Sequence, residues 1–150
     1  MSVPEYFTLA ELTETQTRLP NVPGWKEVEN LRRLALFLDR IRVSFGVPII
    51  VNSGYRSPSV NAKVGGVLTS AHIRGLAADI VPKSRSGTND LRLLSILQRA
   101  WETHPQTSLS GIYPDQLIVY CREPGNPDPG IRFFHVGLSA LSGRRQILWK

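Results

Sequence analysis

Three residues that lie far apart in the sequence have the types and surroundings of metal ligands. His72 is in a glycine-bearing loop, and Asp79 follows inside the apolar run Ala77–Val81. A carboxylate in such a run is costly to bury alone, so it needs a cation or a metal ion beside it. His135 stands in the middle of a second apolar run, Phe133–Leu138. Because catalytic zinc sites use three protein ligands and keep one position open, these residues indicate a site for one zinc ion.

Structural roles for the same residues stay open at this point. The carboxylate of Asp79 can instead be neutralised by Arg56, and a single histidine in an apolar segment is often a structural residue. We expect His104, next to Pro105 at a helix end, to be a solvated residue outside the site. The residues alone therefore allow either a metal site or a buried ion pair.

Two predicted strands must lie side by side if the three residues are to meet. The runs Ala77–Val81 and Phe133–Leu138 have the length and the apolar, partly β-branched or aromatic content of strands. On adjacent strands Asp79 and His135 can share one face, and the loop can place His72 over them. Further strands are predicted at Pro48–Asn52, where the strand delivers Ser53-Gly54-Tyr55-Arg56 to its end, at Gly111–Tyr113 and at Leu117–Cys121, with a turn at Pro124–Gly130.

Helices are predicted mainly in the N-terminal part. Thr8 and Glu11 have the spacing of a capping box, and apolar residues recur at helical spacing from Val28 to Phe45, before Gly46. Two further helices are predicted, one capped by Ser57 and the other by Thr88 or Asn89. The fold class is therefore α+β: a single domain with a mostly antiparallel central sheet that carries the site, flanked by N-terminal helices. It comprises a helical N-terminal part (1–46), a catalytic core (47–139) and a C-terminal tail (140–150).

The composition is that of one globular domain with a basic surface. Hydrophobic residues make up 41% and charged residues 20% of the 150 residues, which is ordinary globular usage. The formal charge of +6 favours an anionic partner. The arginines are scattered and not interleaved with aromatic residues, so we do not expect nucleic acid to be that partner. We expect the single cysteine, Cys121, to be a buried and inert thiol, and the protein to be a monomer.

A set of motifs points to a known family. They are Ser53-Gly54-Tyr55-Arg56-Ser57, Asn61, Val64-Gly65-Gly66, Ser70 to Asp79, Asp115-Gln116-Leu117-Ile118 and Phe134-His135-Val136. Together they resemble the D-alanyl-D-alanine carboxypeptidase family of zinc peptidases, which includes vancomycin-resistance D,D-dipeptidases and phage L-alanyl-D-glutamate endolysins. The specific part is Ser-x-His-x-x-Gly-x-Ala-x-Asp preceded by Ser-Gly-Tyr-Arg.

The resemblance implies that His72, Asp79 and His135 bind one zinc ion and that Arg56 faces the substrate. Zinc lowers the pKa of a bound water to about 7 and polarises a scissile carbonyl. A guanidinium can neutralise the charge that develops there or bind a substrate carboxylate. The substrate-binding residues predicted beside Arg56 are Ser70, which also orders the metal loop, Gln116 and Tyr120.

The general base is the point at which this chain departs from the family. Many relatives keep a carboxylate or histidine two or three residues before the last histidine ligand, where this chain has Arg132 and Phe133. Phage-type relatives often have a glutamate where this chain has Tyr120. We therefore predict Asp115 as the base, with the alternatives that it caps the turn after Pro114 or that activity is weakened or lost.

The function predicted from the sequence is that of a zinc metallopeptidase acting on D-alanine-containing or related amides of peptidoglycan stem peptides or cross-links. Met1 to Ala10 lack the features of a signal peptide, and no apolar run has the length of a membrane span. We therefore expect a phage-type lysis or host-penetration enzyme, virion-associated or free, that is made in the bacterial host cytoplasm and acts at the cell wall or periplasm. One alternative is a zinc-containing peptidoglycan-binding protein with weak or lost activity. The other is a basic nucleic-acid-binding protein with an accidental motif.

Overall fold

The helices of the protein, described here from a computed structural model, begin and end close to the positions that their sequence signals indicate. The structure describes residues 3–104 and 111–150. The helical elements are α1 (Leu9–Thr13), α2 (Trp25–Phe45), α3 (Pro58–Lys63), a short 3₁₀ helix (Ala71–Arg74) and α4 (Gly87–Thr103). No helix in these ranges is long and apolar enough to cross a membrane.

The predicted caps are confirmed at three helices and wrong at one. Thr8 and Glu11 form the capping box of α1, and Gly46 ends α2 with a left-handed φ of 83°. Ser57 caps α3. The prediction of Thr88 or Asn89 as the cap of α4 is wrong, because the side chain of Ser86 accepts the hydrogen bond from the backbone of Asn89 and the helix begins one residue earlier than Thr88.

The strands form one sheet, in the order β1-β2-β4-β3-β5. They are β1 (Ile49–Ser53), β2 (Ala77–Pro82), β3 (Tyr113–Glu123), β4 (Asn126–Ser139) and β5 (Gln146–Trp149). All neighbouring pairs are antiparallel except β3 and β5, which are parallel. The predicted α+β class with a mostly antiparallel sheet is confirmed.

Three details of the sheet differ from the sequence-based expectation. Gly111–Tyr113 is not a separate strand, since β3 runs unbroken from Tyr113 to Glu123. Only Pro124 and Gly125 form the turn, and the rest of Pro124–Gly130 extends β4. Residues 140–150, expected as a tail, contain the edge strand β5. Within Pro124–Gly130, Asn126 pairs with Glu123, and the register then shifts before Ile131 pairs with Cys121.

The two faces of the sheet have different surroundings. Alternate residues of the central strands join the core with the inner sides of α2 and α4, among them Ile80, Val119 and Phe134. The residues between them, such as Asp79 and His135, lie on the opposite face, as the two-residue side-chain repeat of a strand requires. One face therefore holds the fold together, and the other is free to carry a site.

Three register shifts interrupt the pairing of β3 with β4, and two of them are β-bulges with a single extra residue. Pro114 pairs with Leu138 and Gln116 with Gly137, which leaves Asp115 as an extra residue of β3. Further along the hairpin, the shift between two successive pairs leaves Arg132 as an extra residue of β4. A bulge redirects the extra side chain and often occurs beside a functional site.

The burial of His104 and Cys121 can be compared with what the sequence predicts. The expectation of a solvated His104 is wrong: it is 9% exposed and its ring centroid lies 5.6 Å from that of Phe37. Burial lowers the pKa of this histidine, which favours its neutral form. Cys121 is buried as expected, and burial raises the pKa of its thiol. Neither residue belongs to the open face of the sheet.

Candidate metal centre

The pairing of β2 with β4 brings Asp79 and His135 together. The two residues are direct cross-strand partners. The Nδ1 atom of His135 lies 3.0 Å from the Oδ1 atom of Asp79. The expectation that these two strands are neighbours with both side chains on one face is therefore confirmed.

His72 reaches the same carboxylate from the 3₁₀ helix Ala71–Arg74. The Ser70 hydroxyl accepts a hydrogen bond from the His72 backbone, which confirms that Ser70 orders this loop. The helix ends at Gly75, whose φ is 71° and which packs so closely on α2 that a Cβ would lie 2.7 Å from the carbonyl oxygen of Glu27. Glycine is thus required at this position for two reasons, its backbone angle and its small size.

The orientation of the His72 ring is fixed by the backbone of Gly54. The Nδ1 atom of His72 lies 2.7 Å from the Gly54 carbonyl oxygen, so Nδ1–H donates to it. The Nε2 atom is thereby left facing Asp79, 3.3 Å from its Oδ1 atom. A hydrogen bond from the second ring nitrogen to a carbonyl is the usual way in which metal-binding histidines are oriented.

The donor set fits a single divalent ion. One ligand atom from each of His72, Asp79 and His135 lies within 4.8 Å of the other two. Ligand atoms at zinc–ligand distances of about 2.1 Å in a tetrahedral site are about 3.4 Å apart. The Asp79 to His135 and Asp79 to His72 distances, 3.0 and 3.3 Å, are close to that value. Two imidazoles and one carboxylate suit zinc and leave a fourth position open.

The Asp79 carboxylate has partners on both of its oxygen atoms. Burial opposes its ionisation, but the contacts with His135 and His72 outweigh burial and hold the pKa of Asp79 well below its ordinary value. Its Oδ2 atom lies 3.3 Å from the guanidinium of Arg56. The metal-site and ion-pair interpretations of Asp79 are therefore compatible, since each uses a different oxygen.

Arg56 is placed by several contacts. Its Nε–H donates to the Ser53 hydroxyl at 3.0 Å, and its Nη1 atom lies 3.5 Å from the side-chain oxygen of Asn61. Asn61 is 1% exposed and donates to the carbonyl of Val67, so it joins Arg56 to the loop that borders the site. The motif comparison includes Asn61 without assigning it this role. The signal for this role in the sequence is the presence of Asn61 among the family motifs.

Arg56, His72, Asp79 and His135 line a cavity of about 610 Å³ on the open face of the sheet. Its lining includes five cationic residues: Arg56, Arg74, Arg132, Arg144 and Lys150. The carboxylates among the described lining residues are Asp79 and Asp115. A cavity with this balance of charge favours an anionic ligand.

The predicted substrate residues Ser70, Gln116 and Tyr120 all line this cavity. The ring of Tyr120 stacks on Phe133 with 4.4 Å between centroids. Burial, followed by the nearby charge of Asp79, raises the pKa of Tyr120, so its hydroxyl stays protonated and can donate a hydrogen bond. Gln116 donates to the side chain of Gln146 on β5.

Asp115 also lines the cavity, but its carboxylate is bound by Arg144. The Nε and Nη2 atoms of Arg144 lie 2.8 and 2.9 Å from the two carboxylate oxygens, and the Arg144 backbone N–H donates as well. These hydrogen bonds lower the pKa of Asp115, which makes it a weaker base. The alternative, a cap on the turn after Pro114, does not describe these contacts. Nothing in the sequence pattern indicates this partnership with Arg144.

Comparison with known proteins identifies the family without extending to the third ligand. A comparison with curated protein sequences finds no match. The profile of the Peptidase M15 family matches residues 5–116, which include His72 and Asp79; His135 lies outside the match and meets these two residues in the fold. The chain therefore belongs to the Peptidase M15 family, the family of the zinc D-alanyl-D-alanine carboxypeptidases and vancomycin-resistance dipeptidases, and is a hydrolase of the metallopeptidase type.

Proposed function

We propose that the protein is a zinc-dependent peptidase that hydrolyses D-alanine-containing or related amide bonds in peptidoglycan stem peptides or cross-links. The observation that carries this proposal is the convergence of His72, Asp79 and His135 in the wall of a cavity that Arg56 also lines. The family match and the sequence motifs support the peptidase chemistry. The basic surface supports an anionic polymer such as the bacterial wall as the partner.

The residues of this chain provide the binding and the charge stabilisation that the reaction needs. When bound, zinc supplies a Lewis acid for the scissile carbonyl and lowers the pKa of water to about 7. Arg56, fixed by Ser53 and Asp79, presents a guanidinium to negative charge on the substrate or on the reacting carbonyl. Tyr120 donates a hydrogen bond from a phenol that stays protonated. Asp115 remains the predicted general base, although its ion pair with Arg144 lowers its pKa and so its basicity.

The cavity suits a short peptide. Its volume of about 610 Å³ is within the range of roughly 300–1,000 Å³ that small-ligand sites occupy. We propose that the enzyme is a monomer that acts at the cell wall or periplasm in phage lysis or host penetration, either free or on the virion. Stem peptides of the wall are accessible there.

Digestion of purified peptidoglycan tests this proposal. Zinc-loaded protein is expected to release new amine termini, and mass spectrometry of the fragments identifies the bond that is cut. The variant His72→Ala, which lacks one ligand, is the control and should release none. A zinc-loaded protein that leaves the wall fragments intact would contradict the peptidase proposal.

A second function, binding of peptidoglycan without cleavage, is favoured by one observation. Among the described cavity residues, one carboxylate belongs to the metal cluster and the other is paired with Arg144. Neither of these two carboxylates is therefore free to act as a general base. Co-sedimentation with intact peptidoglycan, together with absence of new amine termini at full zinc occupancy, would support this second function.

A further inference from the structure

The β-bulge in β4 places Arg132 beside the cavity. Tyr120 pairs with Phe133, and Cys121 pairs with Ile131, so Arg132 has no partner of its own on β3. Ile131 and Cys121 are both in the core. The bulge therefore lets Arg132 and Phe133 both avoid the core face, and both line the cavity.

The backbone at this bulge is held from the side of α4. Arg85 donates to the carbonyl oxygens of Ile131 and Arg132, at 2.8 and 3.2 Å. Arg85 is itself paired with Asp90 of α4 through two hydrogen bonds. These contacts fix the position of the bulge through its backbone and do not use the side chain of Arg132.

The Arg132 side chain is exposed and available to a ligand. Ion pairs join other arginines to Glu29, Asp79, Asp90 and Asp115, but within residues 3–104 and 111–150 none joins Arg132 to a carboxylate. Its guanidinium carbon lies 5.8 Å from the centroid of the Phe133 ring. The stacked rings of Phe133 and Tyr120 give an apolar wall next to this charge. An unpaired guanidinium beside an aromatic wall is suited to a carboxylate carried on a peptide.

The strand geometry gives the spacing along β4 between the metal cluster and Phe133, whose ring lies beside the Arg132 guanidinium. Phe133 is two residues from His135 on the same strand, which corresponds to about 7 Å. An extended peptide spans about 3.3–3.6 Å per residue. A carboxylate near Arg132 is therefore about two residues away from an amide held at the metal cluster.

We propose that Arg132, with Tyr120 and Phe133, forms a subsite that selects substrates carrying a carboxylate about two residues from the cleaved bond. This inference rests on the proposed peptidase function of the same cavity, and it adds a preferred substrate class: acidic peptides. It also assigns a role to Arg132 and Phe133, the two residues that stand where many relatives keep a carboxylate or histidine. The subsite binds the substrate and takes no part in proton transfer.

Binding of uncleavable peptide analogues tests the subsite. The scissile amide next to D-alanine is replaced by a ketomethylene unit, and glutamate or glutamine is placed two residues away on either side. Calorimetry with zinc-loaded protein is expected to show about fivefold to tenfold tighter binding of one glutamate analogue than of its glutamine counterpart. Arg132→Gln should abolish this preference, and Arg132→Glu should reverse it. The matched control is Arg99→Gln, an exposed arginine of α4 outside the cavity, which should keep the wild-type preference.

The outcomes separate the subsite from the peptidase function. Equal binding of the glutamate and glutamine analogues by the wild type, a preference that survives in Arg132→Gln, or no binding of any analogue would overturn the subsite. A preference that depends on Arg132 supports the subsite even if digestion of peptidoglycan shows no cleavage. In that case the peptidase proposal fails and the subsite belongs to a binding protein.

Discussion

The cavity has two sides, the Asp115 flank and the Arg132 flank. Each flank is formed at a β-bulge, but the residue at the bulge has an ion-pair partner in one flank and none among the described carboxylates in the other. On one flank a bulge in β3 redirects Asp115, and Arg144 binds its carboxylate through both side-chain nitrogens and the backbone. On the other flank a bulge in β4 redirects Arg132, which has no ion pair among the described carboxylates. The metal cluster lies between them.

This difference shows that a bulge alone does not define a functional residue. The redirected side chain becomes available to a ligand only when the protein leaves it without a partner. Asp115 is bound within the protein, so its first role is to attach the segment before β5 to β3. No carboxylate of the described residues forms an ion pair with Arg132, which lines the cavity, so its charge is available to a ligand that binds there.

The largest effect is expected from removing the centre that both flanks share. His135→Ala deletes one of three ligands, so zinc content should fall from one ion per chain to near zero, by elemental analysis. Peptidase activity should fall roughly 10³-fold or more, because a Lewis acid supplies several kcal/mol. Asp115→Asn is the control for metal content and should retain its zinc, since Asp115 is outside the cluster. Full zinc occupancy in His135→Ala would disprove the ligand assignment.

Arg56 lines the same cavity beside Asp79, and its removal should have the next largest effect on activity. Arg56→Ala is expected to lower kcat/KM about 10²-fold, the usual effect of deleting a donor to developing charge. Arg56→Lys keeps the charge but loses the planar fork, so it should recover only part of that loss. Steady-state kinetics at matched zinc content measure both. Equal activity of the alanine variant and the wild type would exclude Arg56 from the reaction.

The Asp115 flank also depends on the close approach of Gly143 to β3. A Cβ at Gly143 would lie 1.7 Å from the carbonyl oxygen of Pro114, so Gly143→Ala must displace the backbone that carries Arg144. We expect it to lower the free energy of unfolding by about 2 kcal/mol, as overpacking does. Gly87→Ala is the control because nothing lies within 4 Å of its Cβ position. Equal stabilities of the two variants in urea denaturation would show that this flank accepts a Cβ at residue 143 without displacement of its backbone.

Much of the centre could be predicted from the sequence because its signals are local. The aspartate in an apolar strand and the histidine in another imply pairing with a cation or metal, and the alternation of each strand places both side chains on one face. The capping signals at Thr8, Ser57 and Gly46 likewise involve residues a few positions apart. Such patterns depend little on the rest of the fold.

The flanks could not be predicted because they depend on contacts between distant residues. Arg144 meets Asp115 only after the segment preceding β5 returns to β3, and a bulge at Arg132 shows only in the register of paired strands. His104 is misjudged for the same reason, since its burial against Phe37 comes from the packing of α4 on α2. Spacing along the chain carries no signal for these contacts.

The smallest effect is expected from breaking the ion pair that distinguishes the two flanks. Because Arg144 lowers the pKa of Asp115 in the folded protein, the pair stabilises the fold above the ordinary carboxylate pKa of about 4 and ceases to do so as pH falls through the lowered value. Asp115→Asn should therefore cost about 1 kcal/mol at pH 7, a value limited by the exposure of Arg144. In urea denaturation across pH, its difference from the wild type should shrink in acid.

Arg144→Gln separates the attaching role of Asp115 from its predicted role as general base. It removes the same ion pair, so its loss of stability should match that of Asp115→Asn, but it leaves the carboxylate in place with its pKa closer to the ordinary value. If Asp115 only attaches the segment before β5, the two variants should have the same kcat. If Asp115 is the base, kcat should fall in Asp115→Asn and be retained or raised in Arg144→Gln. The second result would make both flanks functional and remove the distinction between them.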